Sequence, residues 1–74
     1  MPHRIKSEVI SDPTIRGGEP VIRGTRVPAY LIAWMVGEGV PQRDILHHYP
    51  SLNLSDIDVA VEFAKLHPER TREH

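Results

Sequence analysis

Gly17-Gly18-Glu19-Pro20-Val21-Ile22-Arg23-Gly24-Thr25-Arg26-Val27-Pro28 is the stretch around which the rest of this 74-residue chain is arranged. Gly17 and Gly18 accept positive φ, which predicts a tight turn. Pro20 and Pro28 fix φ and bias the residues before them toward extended geometry. Between them, residues 20–23 read as a short strand with β-branched Val21 and Ile22 at its centre. Gly24 predicts a bend or bulge that re-aims the chain. Pro28 suits the first turn of a helix, where its missing N–H costs nothing.

Upstream, residues 7–11 carry Val9 and Ile10 and read as a first strand, followed by the turn starter Asp12-Pro13. The two strands suggest a hairpin, which is marginal alone in water and must pack on helices or extend across a dimer. Downstream, the pattern is helical. Residues 28–38 are apolar on every side, the mark of a helix buried all round, and Gly37 and Gly39 end it. Residues 41–49 form a second helix with Ile45, Leu46 and Tyr49 on one stripe, Asp44 toward its positive end and Pro50 as its stop. Leu52 and Leu54 are expected to anchor the linker to the core. Ser55 is expected to cap a third helix, with Asp58 completing a capping box. That helix runs to about residue 67, with Asp58, Glu62 and Lys65 as its polar stripe.

The expected architecture is therefore mainly α with a small β arm. It is a homeodomain-like three-helix (helix-turn-helix) domain preceded by a short β-hairpin. Residues 1–67 form one domain, and 68–74 read as a polar, flexible tail. A chain this short buries only about 60% of its unfolded surface, and with no cysteine there is no disulfide to help. The first and third helices carry more apolar surface than a small monomer hides. Tyr30, Trp34, Val59, Phe63 and Leu66 are the candidates for a dimer or partner interface, and a homodimer is expected. No run of eighteen apolar residues and no signal-peptide pattern is present, so a cytoplasmic location is expected.

The net charge of −1 hides an asymmetry. Residues 1–26 hold five cations (Arg4, Lys6, Arg16, Arg23, Arg26) against three carboxylates. Residues 27–74 hold four against seven. These five basic residues are the nucleic-acid-binding candidates, because the third helix, with Asp58 and Glu62 outward, is a poor surface to lay on phosphates. His47 and His48 are adjacent and point about 100° apart on a helix, which does not chelate one ion well. No nucleophile sits beside a base, and no phosphate or dinucleotide loop is present. The chain is expected to be no enzyme and to hold no metal or cofactor. Thr25 reads as a turn residue fixing the strand-to-helix junction, and Arg23 and Arg26 as clamps for carboxylates such as Asp12, Glu19 or a partner's.

The segment 18–28, together with Gly39, Ile45-Leu46, Tyr49-Pro50, Leu52 and Asp56-Ile57, resembles domain-of-unknown-function family 433. Its members resemble VapB-type antitoxins. The likeness runs from about Ile10 to Ala64, with Pro41 standing where the family usually has Ser or Thr. It implies a homeodomain-like helical domain with a β arm, a homodimer, and frequent pairing with a PIN-like ribonuclease toxin. The expected function is antitoxin in a type II toxin–antitoxin pair, with autoregulatory binding of operator DNA. Arg23, Arg26, Arg70 and Arg72 are the candidates for meeting the toxin's acidic metal ligands, although the likeness does not extend to the tail. The alternatives are a DNA-binding helix-turn-helix transcriptional regulator without a toxin partner and a purely structural oligomerisation module.

Overall fold

The computed structural model describes residues 6–68. Two antiparallel strands, β1 (Val9–Ile10) and β2 (Val21–Ile22), precede three helices: α1 (Ala29–Gly37), α2 (Gln42–His48) and α3 (Leu54–Leu66). This is the mainly helical domain with a β arm that the sequence implies, with helix limits within two residues of expectation. The strands pair Val9 with Ile22 and Ile10 with Val21. A 3₁₀ turn at Arg16–Gly18 joins them, with Gly17 and Gly18 at φ 67° and 93° as the turn demands.

β2 is paired on both edges. Opposite β1, Val21 bridges to Pro28, the Ile22 N–H donates to the Val27 carbonyl (2.9 Å), and the Ala29 N–H donates to the Pro20 carbonyl (3.0 Å). Val21 and Ile22 are also fully buried, Ile22 within the core cluster. This pairing runs straight into α1, so the strand positions the helix.

α1 ends in a Schellman motif. Val40 N–H donates to the Met35 carbonyl and Gly39 N–H to the Val36 carbonyl, both at 3.0 Å. Gly39 sits at φ 88°, where a side chain is strained. Val40 then packs back on the core. The core joins Ile22, Ala29, Ile32, Ile45, Leu52, Ile57 and Ala60, drawn from β2, all three helices and the linker before α3. α1 and α3 make the main helix–helix packing.

Two expectations at the start of α3 are corrected. The cap is Asn53, not Ser55. Asn53 Oδ1 accepts from the Asp56 N–H (2.9 Å) and Asp56 Oδ2 accepts from the Asn53 N–H (3.0 Å), a reciprocal capping box two positions closer to Leu52. Ser55 lies inside the first turn, where its hydroxyl has no capping role. The earlier start also turns Leu54 outward, 52% exposed, while Leu52 alone anchors the linker. No helix among the described residues is long and apolar enough to cross a membrane.

Candidate functional site

The loop Arg23–Arg26 closes the turn between β2 and the extended Val27–Pro28 segment. Gly24 takes φ 83°, which favours glycine. Thr25 does the fastening. Its Oγ1 donates to the Ile22 carbonyl (2.8 Å) and accepts from the Val27 N–H (3.0 Å), and its own N–H donates to the Ile22 carbonyl (3.0 Å). The reading of Thr25 as the residue that fixes the strand-to-helix junction stands.

One step beyond Val9–Ile22 in the same antiparallel register, Glu8 faces Arg23. The Arg23 N–H donates to the Glu8 carbonyl (2.9 Å), and Arg23 Nη1 meets Glu8 Oε2 at 2.7 Å. The carboxylates expected for this arginine, Asp12 and Glu19, are engaged elsewhere. Glu19 pairs with Arg16 (2.8 Å), its neighbour across the 3₁₀ turn. Asp12 accepts from the backbone N–H and the hydroxyl of Thr14, and these hydrogen bonds lower its pKa below the ordinary aspartate value. Arg26 is exposed and makes no ion pair among the described residues.

Beside the loop lies a polar cleft of about 260 Å³. Lys6 and Arg23 bring positive charge to it. Gly24 and Thr25 form one wall, and Ser51, Asn53 and the buried Asp56 form the other at the first turn of α3. With the Arg23–Glu8 pair and Asp56 close by, the cleft is mixed in charge. This cleft, which the sequence spacing did not reveal, depends on the fold bringing the Gly-Thr-Arg loop against the linker before α3.

The other feature is apolar. Trp34 on α1 is 60% exposed and Leu66 on α3 is 68% exposed. Tyr30, Val59 and Phe63 are half-buried. Tyr30 meets Phe63 edge-on at 5.6 Å, Phe63 lies 4.6 Å from the His67 ring, and the Tyr30 hydroxyl donates to the His67 carbonyl (2.6 Å). Two of the five interface candidates thus already lock α1 to α3 within the chain.

Of the basic candidates, Lys6 and Arg23 share the cleft, Arg26 stands on its rim loop, and Arg16 is committed to Glu19. Arg4, Arg70 and Arg72 lie outside the described residues. His47 and His48 are exposed, with rings 6.0 Å apart. Among the described residues no group of three His, Cys, Asp or Glu side chains is placed to hold a metal ion.

Against this geometry the comparisons with known proteins are consistent. A family model described as a protein of unknown function (DUF433) matches residues 9–64. The uncharacterized protein y4eO of Sinorhizobium fredii (strain NBRC 101917 / NGR234) is 44% identical over 64 residues, covering 86% of this chain. The crystal structure of a DUF433 member protein from Anabaena variabilis ATCC 29413 superposes with a TM-score of 0.69 at 31% identity, over 81% of this chain. This chain spans 29% of the length of the first relative and 59% of the second. The shared strand–loop–three-helix architecture and the matched segment place the chain in the DUF433 family.

Proposed function

We propose that this chain is a non-enzymatic antitoxin that binds and neutralises a PIN-like ribonuclease, acts as a homodimer in the cytoplasm, and binds its own operator DNA through its basic arm. The observation that carries this reading is the uncovered apolar surface of α1 and α3, where Trp34 and Leu66 face water. Large apolar side chains held outward on rigid helices favour a partner that covers them. The Tyr30, Trp34, Val59, Phe63 and Leu66 surface serves that contact. The resemblance to VapB-type antitoxins supports a nuclease as the partner, and Arg23, Arg26, Arg70 and Arg72 supply the cations its acidic metal ligands would meet.

Affinity purification of the tagged full-length chain from its source cells tests this, followed by a ribonuclease assay on the separated partner. The expected result is a small nuclease silenced by roughly one equivalent of added chain. A recovered nuclease indifferent to the chain overturns the reading, as does the absence of any nuclease. A DNA-binding regulator without a toxin partner is the second reading, supported by Lys6 and Arg23 sharing one cleft beside Arg26. Its signature is salt-sensitive operator binding by the isolated protein.

A further inference from the structure

We propose that the apolar face shared by α1 and α3 takes a basic amphipathic helix of a partner protein. The apolar side of that helix covers Trp34 and Leu66, and its lysines or arginines meet Glu38, Asp58 and Glu62. This deepens the partner contact of the antitoxin reading, and rests on it only in taking the face as one that binds protein.

The face is continuous. Tyr30, near the start of α1, meets Phe63 and His67 near the end of α3, which joins the Tyr30–Trp34 row to the Val59–Phe63–Leu66 row. α1 itself carries no charged side chain. The charges stand at the edges and are mostly of one sign. Glu62 lies three residues after Val59 and four before Leu66, so it neighbours both on the helix surface. Asp58 is one turn before Glu62, and like charges at that spacing repel. At the end of α1 the Glu38 N–H donates to the Trp34 carbonyl (2.9 Å), which places Glu38 one turn beyond Trp34. All three carboxylates are exposed, and none forms an ion pair among the described residues. Lys65, the lone lysine or arginine of α3, pairs with neither Asp58 nor Glu62.

That rim selects the occupant. A second copy docked across a two-fold axis sets this face on itself and brings the unpaired carboxylates of both copies to one rim, where they repel. A nucleic acid is repelled for the same reason. A cationic partner instead relieves the repulsion between Asp58 and Glu62. The backbone of the face argues for a helix. α1 and α3 bond their own N–H and carbonyl groups along their length, so the face offers no open strand edge. An extended segment pressed on it would bury backbone groups without partners, whereas a helix arrives with its own bonds made.

The test titrates full-length chain with three tryptophan-free helical peptides and reads Trp34 fluorescence. The first has leucine on one face and lysine at its edges, the second has glutamate for that lysine, and the third has serine for that leucine. The leucine–lysine peptide is expected to shift the emission to shorter wavelength and saturate, less tightly as salt is raised. The other two are expected to bind at least about tenfold more weakly. The triple variant Glu38→Gln, Asp58→Asn, Glu62→Gln should bind the first peptide about fivefold to thirtyfold more weakly at unchanged helix content by circular dichroism. Leu66→Ser should weaken it as well. Equal binding of the glutamate peptide, an unaffected triple variant, or no shift with any peptide overturns the inference. So does a shift that grows with protein concentration alone and is the same in the triple variant, which marks the face as an interface between copies. None of these arms involves a nuclease. A nuclease silenced by the chain while the peptides fail leaves the antitoxin reading standing, and peptides behaving as expected with no nuclease recovered leaves this inference standing without it.

Discussion

Thr25 fastens two elements of the fold with a single side chain. One hydroxyl joins the end of β2 to the start of the extended segment before α1. Thr25→Val keeps the shape and removes both bonds, leaving the Val27 N–H without its partner. The expected cost is about 1–3 kcal/mol, read from the urea midpoint. The role of Thr25 is legible from its place between Gly24 and Pro28. The Arg23–Glu8 pair is not, because strand register is a long-range choice that residue spacing does not reveal. Both partners are roughly half exposed, so this bond should contribute under about 1 kcal/mol. Asp12 offers a pH test. Its folded-state value is lowered by Thr14, so its stabilising effect is present above the unfolded aspartate value and is lost as pH falls through the lower folded one. An NMR titration should place its midpoint below that of ordinary aspartate, and Thr14→Ala should raise it.

At the scale of elements, α3 is defined by its ends. The Asn53–Asp56 box opens it, and Asn53→Ala should cost about 1 kcal/mol, whereas Ser55→Ala should be close to neutral. Thermal melts of the two variants check this directly. The sequence contains both candidate boxes, Asn53 to Asp56 and Ser55 to Asp58, at the same spacing. What decides between them is the burial of Leu52 beneath the linker, which fixes where the chain enters the helix. The helices themselves are readable because proline and glycine punctuate them. The strands are short enough that only their β-branched pairs, Val9-Ile10 and Val21-Ile22, mark them. The cleft next to the loop is legible only after the helices are placed, since Lys6, Thr25 and Asn53 are far apart in sequence.

At the scale of the whole molecule, one cluster of seven buried residues among those described joins three helices to the β arm. A core this small has little reserve. Ile57→Ala, at a fully packed position between helices, should cost about 2–5 kcal/mol. That is a large share of the total stability of a small domain, so partial unfolding at room temperature should be visible by circular dichroism. The single tryptophan, Trp34, faces water and is therefore an internal reporter. In the proposed homodimer or nuclease complex its fluorescence should shift to shorter wavelength with concentration or added partner. Trp34→Ser with Leu66→Ser should weaken association in sedimentation while leaving helix content unchanged. The surplus of apolar surface was legible from the helix patterns alone. How Tyr30 and Phe63 consume part of it inside the chain was not, because that depends on the crossing of α1 and α3.

The direction of α3 has a consequence for architecture on a larger scale. Lys6 shares a cleft with Asn53 and Asp56 at one end of that helix, and the hydroxyl of Tyr30 ties down His67 at the other. Thirteen helical residues separate the two ends by about 20 Å. Polypeptide joined to both sides of the domain would thus be held apart like loads on a strut. Spanning that distance takes at least about six extended residues.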